Sequence, residues 1–157
     1  MRPEDKHLFT CLPDCQLMGL CIEREASGEP REGKIAVGTI ILERVDHRDW
    51  DGKTIQEVIL KPWQFSWTMP EAGLDYYNEA VDMALHWDET YKHNLTLVEC
   101  CMIARDMLQG EIPRDKDLIG CFQYLNPKTA ANTRKKWIQA GMRPIKRIGH
   151  HEYFSEQ

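Results

Sequence analysis

The chain has 157 residues, of which 42% are hydrophobic and 29% charged, and its net charge is -5. This composition is that of an ordinary globular protein and excludes disordered and collagen-like classes. The length fits one domain, residues 1–157 with a core over about 14–154, and no apolar run approaches the roughly 20 residues that span a bilayer.

The first predicted helix, residues 14–25, carries an apolar stripe that ends in a carboxylate. Its apolar residues recur three and four positions apart, and Glu25 continues the same rows. The stripe consists of Leu17, Met18, Cys21 and Ile22. Glu25 is therefore expected to face the core, where burial raises the pKa of a carboxyl group. A neutral carboxylic acid of this kind is typical of the general acid of a glycosidase.

Further helices are predicted along the rest of the chain. They are a buried central helix over 35–45, a short helix opened by a Thr54–Glu57 capping box, a helix over 71–87, a helix from Thr96 to Gly110, and a basic helix over 129–140. The segment 35–45 is rich in β-branched residues, which favour a strand, but its length exceeds that of a usual buried strand. An irregular stretch over 111–127 and an extended tail over 148–154 complete a mostly α chain.

The six cysteines are expected to be free thiols, because the polar residues 1–7 lack the apolar core of a signal peptide and a reducing compartment follows. Three disulfides are the alternative. Cys11 and Cys15 lie on one helical face, but no second pair has zinc-site spacing. Neither a metal nor another cofactor is expected.

The charge is unevenly distributed. Residues 128–147 contain seven Lys and Arg and no acid, so this segment carries +7 and the remainder -12. One interpretation of this segment is a solvated surface. The other is an anchor for an anionic polymer, which would be the cell wall with its acidic polymers or a nucleic acid.

The segment 63–67 is predicted to be a loop between Pro62 and Pro70, and its composition suits sugar binding. Aromatic rings stack on sugar faces while amide and hydroxyl groups such as Gln64 and Ser66 fix the register. Trp67 is a candidate for stacking, with burial in the core as the alternative.

A wall opposite this loop is expected from Tyr124 and Asn126, with a purely structural turn as the alternative. His150 and His151 lie outside any HExxH or Gly-x-Ser-x-Gly pattern, so metalloprotease and serine hydrolase chemistry are excluded.

Several short motifs follow one another along the chain: Glu-Ala-Ser-Gly-Glu-Pro at 25–30, Gln-Phe-Ser at 64–66, Asn-Pro at 126–127, and Ile-Gly-His-His-Glu-Tyr-Phe at 148–154. In this order they resemble the cell-wall hydrolase family of the spore cortex-lytic (SleB) type. The first is similar to the family's Glu-Ala-Arg-Gly-Glu-Pro signature, with Ser27 in place of Arg. A helix similar to the family's follows and ends in Glu-Arg-Val where the family has Asn-Arg-Val. Residues 64–66 are similar to its Gln-Phe-Ser element, 126–127 to its Asn-Pro, and 148–154 to its closing Ile-Gly-x-His-x-Phe.

The resemblance implies a lysozyme-like, mostly helical fold and cleavage of the glycan strand of peptidoglycan, with Glu25 as the catalytic acid. His151 matches the closing motif and is expected to bind substrate or to support the site. For Glu29 two roles stay open: stabilising an oxocarbenium-like state in contact with the substrate, or tying the loop to a backbone N–H.

A lytic transglycosylase is the expected mechanism, since it needs one carboxyl group and yields a 1,6-anhydro sugar. A lysozyme-type hydrolase that uses water and a non-catalytic wall-binding module are the alternatives. The expected setting is a monomeric phage lysin, held in the host cytoplasm until release or carried on the virion, without nucleic acid or stable membrane insertion. A bacterial enzyme whose export segment lies outside this chain is the other setting.

Overall fold

The structure, a computed structural model, describes residues 1–156. Its helices are α1 (Lys6–Thr10), α2 (Asp14–Ala26), α3 (Arg31–His47), α4 (Ile55–Leu60), α5 (Leu74–Leu85), α6 (Trp87–His93), α7 (Leu95–Leu108) and α8 (Ala131–Gln139). Its strands are β1 (Cys121–Leu125), β2 (Arg143–Ile148) and β3 (His151–Ser155), and single 3-10 turns occur at Ser66–Thr68 and Lys116–Leu118. The prediction of a mostly α chain is confirmed.

The core forms around α2 and α3, which are both predicted helices. The four apolar stripe residues of α2 are fully buried, and α2 packs mainly against α7. The segment 35–45 lies inside α3, so it is a helix despite its β-branched residues. Most of α3 is buried on all sides, and this burial outweighs local strand propensity.

Helix starts were predicted at the Thr54–Glu57 capping box and at Thr96, and the second of these is wrong. Thr54 accepts a hydrogen bond from the backbone N–H of Glu57, as predicted for α4. The start of α7 is instead capped by Asn94, whose side chain accepts from the N–H of Leu97, so Thr96 lies inside the helix. Two polar residues close together offered alternative caps, and propensity alone does not separate them.

The three strands form one antiparallel sheet in the order β1-β3-β2. The extended structure at the end of the chain is larger than predicted, because β2 precedes the predicted tail. The stretch 111–127, predicted to be irregular, contains β1. Nearly all of β2 is exposed, so its sequence lacks the alternation that marks a half-buried strand. The sheet packs through β1 against α3 and so lies beside the C-terminal end of α2.

All six cysteines are free thiols, as predicted, and four of them are buried. Within residues 1–156, no helix is both long and apolar enough to cross a bilayer.

Candidate active site

A cleft of about 510 Å3 opens between the helical core and the sheet. Its lining comes from the end of α2, from α3, from the loop before α5, from β1 with the turn that follows, and from α8 and β3. The N-terminal motif, the aromatic loop, the Asn-Pro turn and the closing histidine therefore meet at one place, although more than 120 residues separate the first from the last.

Glu25 lies at this cleft in the last turn of α2. Its side chain is half-buried, and one carboxyl oxygen, Oε2, accepts a hydrogen bond of 2.6 Å from the hydroxyl of Tyr124. Burial raises the pKa of Glu25, while the Tyr124 hydrogen bond and the charge of Arg44 oppose the rise. Glu25 is therefore held in a site that favours its neutral acid, beside groups that stabilise the carboxylate once the proton has left.

Tyr124, on β1, is a reliable donor to this carboxyl group. Burial raises its pKa well above the usual range, and the neighbouring Glu25 charge adds to the rise, so the phenol keeps its proton. Its ring packs 4.9 Å from that of His151 and 5.4 Å from that of Tyr153. These contacts fix the hydroxyl at Glu25.

Arg44 is a cleft residue that the sequence analysis did not select. Its Nε and Nη2 groups donate to the backbone carbonyl of Phe122 at 2.9 and 2.7 Å, and its Nη1 is buried without a partner among the described residues. Burial lowers its pKa from the usual guanidinium value. Arg44 is the arginine of the Glu-Arg-Val ending of the resembled helix, so the motif contained the signal that identifies it.

The loop over 63–67 lines the cleft with three residues. Gln64 and Ser66 face it as predicted, and Trp63 stands at its edge with 73% of its surface exposed. The backbone of Trp63 has φ = 67°, a conformation that bulky residues rarely adopt.

Trp67 does not reach the cleft. It is completely buried, and its ring packs 5.7 Å from that of Phe9. The predicted contact of Trp67 with substrate is therefore wrong, because the 3-10 turn over Ser66–Thr68 rotates the ring into the core. Its alternative, burial, is confirmed.

The opposite wall contains Tyr124 and Asn126, as predicted. It also contains His151, which the resemblance implied as a residue that binds substrate or supports the site, and Trp137 of α8, which was not predicted. Asn126 accepts a hydrogen bond from the N–H of Lys128 through its side-chain oxygen, so it also shapes the turn. Burial lowers the pKa of His151, which keeps the ring neutral near pH 7. This wall thus offers amide, imidazole and aromatic groups to a substrate, and none of these groups is charged.

Glu29 is buried outside the cleft. Its carboxylate accepts from the backbone N–H of His150 at 3.1 and 3.2 Å and lies 2.9 Å from that residue's Nδ1. Gly149 sits so close to this carboxylate that a Cβ there would collide with it. The predicted contact of Glu29 with substrate is therefore not supported, and its alternative, tying the loop to a backbone N–H, is confirmed.

Among the described residues that line the cleft, Glu25 is the only carboxylate and Arg44 the only permanent cation. Two further buried glutamates are engaged elsewhere, Glu23 with the adjacent arginine and Glu43 with Arg114 and the N–H of Gly120. The described residues contain no cluster of three or more His, Cys, Asp or Glu that would hold a metal ion. At the cleft, the Glu25 carboxyl group is therefore placed to donate and accept a proton.

Comparisons with known proteins agree with the sequence motifs. A family model described as Cell Wall Hydrolase matches residues 28–154, a range that begins three residues after Glu25. The spore cortex-lytic enzyme of Halalkalibacterium halodurans is 32% identical over 139 residues, which are 88% of this chain and 33% of that enzyme. The chain thus spans about a third of the length of this relative.

A similar solved structure is the catalytic domain of the Bacillus cereus SleB protein. The TM-score is 0.54 at 27% identity, and the match covers 90% of this chain and 89% of that domain. The expected mostly helical, lysozyme-like fold is confirmed by this match.

Proposed function

The chain belongs to the cell wall hydrolase family of the SleB type, and we propose that it degrades peptidoglycan by cleaving the β-1,4 bond between N-acetylmuramic acid and N-acetylglucosamine. One observation carries this proposal. Glu25, the acid of the family-like motif, lies at a sugar-sized cleft in a site that raises its pKa. A glycosidic oxygen leaves only when it is protonated, and a carboxylic acid held neutral supplies that proton.

The reaction proceeds in two proton transfers through the same carboxyl group. Glu25 donates its proton to the glycosidic oxygen, and the bond from that oxygen to C1 of the muramic acid breaks. The 6-hydroxyl of the same muramic acid attacks C1, and its proton passes to the Glu25 carboxylate. The products are a 1,6-anhydromuramyl end and an N-acetylglucosamine with a free 4-hydroxyl, and the enzyme returns to its starting state.

The single carboxylate supports this lytic transglycosylase mechanism over hydrolysis. In most glycosidases that use water or a covalent intermediate, a second carboxylate lies about 5–9.5 Å from the first. Within the described lining of the cleft no second carboxylate is present. In the proposed mechanism Tyr124 and Arg44 stabilise the Glu25 carboxylate between the two proton transfers.

The biological setting that we propose is host lysis by a phage lysin that stays in the host cytoplasm until release or travels on the virion. Lysis follows from the same cleavage, because cutting glycan strands weakens the wall.

The test compares wild type with Glu25→Gln on purified peptidoglycan, with the released sugars identified by mass spectrometry. Gln is nearly the same size and keeps an acceptor for Tyr124 but has no proton to give. We expect soluble 1,6-anhydro muropeptides from wild type and none from the variant. Reducing-end sugars would instead favour the lysozyme-type hydrolase, and equal release by both proteins would remove Glu25 from the mechanism.

The non-catalytic alternative predicts a different pattern. A wall-binding module would release nothing as wild type, and Glu25→Gln would bind sedimented peptidoglycan as well as wild type does.

A further inference from the structure

A second depression lies along a different face of α8 from the one that lines the cleft. It has a volume of about 510 Å3 and is lined by one face of α8, whose residues recur at helical spacing, and by neighbouring positions of β2 and β3. The charged residues on its walls are Arg134, Lys135, Arg147 and Glu152. We refer to it as the basic groove.

The cations of the groove differ in their surroundings. Arg134 binds Glu152 through two nitrogens at 2.5 and 3.1 Å, which neutralises both groups and holds α8 against the sheet. Lys135 and Arg147 are exposed and form no ion pair with any described residue. By contrast, Lys146 of the same basic segment faces away and binds two aspartates. The groove therefore keeps two uncompensated positive charges in a protein whose net charge is negative.

The groove and the cleft meet at the N-terminal end of α8. Asn126 and Ala130 line the cleft, while their chain neighbours Pro127 and Ala131 line the groove. A group attached to the side of a glycan strand in the cleft therefore needs to pass only this helix end to enter the groove. In peptidoglycan, the group that leaves the strand sideways is the peptide stem on the lactyl ether of muramic acid.

We propose that the basic groove binds the acidic peptide stem of the strand being cleaved, with Lys135 and Arg147 pairing with its carboxylates. This inference rests on the proposed function and names the part of the substrate that the groove recognises. The groove also has apolar wall positions at Pro127, Ala131 and Ile138, which suit the methyl groups of alanine residues. Carboxylates and small methyl groups together are the chemistry of a stem, whereas a polyol phosphate chain offers charge without methyl side chains.

The test reverses the two unpaired charges in a Lys135→Glu/Arg147→Glu double variant. A matched control, Lys116→Glu/Lys136→Glu, makes the same change in net charge at exposed positions outside the groove and the cleft. Initial rates are measured on glycan strands with intact stems, on strands whose stems have been removed by an amidase, and on strands whose stem carboxylates have been amidated. Circular dichroism and thermal unfolding check that both variants fold.

With intact stems, we expect KM to rise about tenfold in the groove variant, because two exposed ion pairs each contribute a factor of about three. On stem-free and amidated strands the groove variant should match wild type, and the control should match it on every substrate. An equal effect on all three strands, or an equal effect of both variants, would overturn the proposal. The proposal would also be overturned if the groove variant were defective on whole walls and this defect disappeared once hydrofluoric acid had removed the phosphodiester polymers of the wall.

A binding measurement separates this proposal from the proposed function. A free tetrapeptide stem is titrated into 15N-labelled Glu25→Gln protein, and amide shifts are followed by NMR. Shifts that cluster on α8 and β2, and that vanish in the groove double variant, would support stem binding even if wild type released no sugar. Absence of these shifts at millimolar peptide would refute the groove assignment while leaving cleavage by Glu25 intact.

Discussion

Replacing Tyr124 with Phe removes one hydroxyl, and the structure predicts how the pH dependence of the reaction responds. The Tyr124 hydroxyl donates to Glu25 at 2.6 Å and so lowers the pKa of that carboxyl group against the effect of burial. A hydrogen bond to a charged group contributes about 1.5–3 kcal/mol, and one between neutral groups about 1 kcal/mol. The carboxylate therefore loses roughly 0.5–2 kcal/mol more than the acid does, and the middle of this range corresponds to a rise of about one pKa unit.

The assay is the pH dependence of kcat/KM on soluble glycan strands. Cleavage needs protonated Glu25, so the rate falls as the pH rises past its pKa in the free enzyme. In Tyr124→Phe this alkaline limb should move about one unit to higher pH. An alkaline limb that stays in place or moves to lower pH would refute the reasoning.

Tyr153→Phe is the control for this prediction. Its ring lies 5.4 Å from that of Tyr124, but its buried hydroxyl has no hydrogen-bond partner among the described residues. The same chemical change in the same surroundings should therefore leave the alkaline limb unmoved.

Three further outcomes follow from burial and contacts. Folding raises the pKa of Glu25, so its ionisation destabilises the native state above the unfolded pKa of about 4.5. Glu25→Gln should therefore be more stable than wild type in thermal unfolding at pH 7, and the difference should disappear below about pH 4; equal stability at both pH values would contradict this. Trp63→Ala should raise KM for glycan strands about two- to twelvefold, since aromatic stacking contributes about 0.5–1.5 kcal/mol. Trp50→Ala removes a similarly exposed ring outside the cleft and should not change KM. Glu29→Gln should lower the free energy of unfolding by about 1–3 kcal/mol in urea titrations without changing KM, because the buried carboxylate holds the exposed turn at Gly149 and His150; a raised KM with unchanged stability would restore a substrate role.

The helical core was predictable from sequence because its signal is local. The stripe of α2 and the apolar run of α3 each contain enough residues for burial to be expected from spacing alone. The same stripe predicted that Glu25 faces the core, and the structure places its side chain half-buried at the cleft. By contrast, β2 is exposed along most of its length and β1 has only five residues, so neither shows the alternation of apolar and polar residues that would identify a strand.

The partners at the cleft were less predictable, because they are set by contacts between distant segments. Glu25 and Tyr124 are 99 positions apart, and no local pattern indicates that their oxygen atoms meet. The loop composition likewise could not decide which rings face outward: Trp63 is exposed and Trp67 is buried four positions later. Side-chain direction in such a loop depends on the 3-10 turn and on the space that the core leaves.

The protonation of Glu25 is the property on which the proposed chemistry depends, and NMR measures it directly. Wild-type protein with 13C-labelled glutamate carboxyl groups is titrated, and the Glu25 resonance is assigned by its absence from Glu25→Gln. The structure predicts a midpoint clearly above the ordinary value of about 4.5. A midpoint at or below that value would show that the cleft does not keep the acid protonated, and would contradict its role as the proton donor.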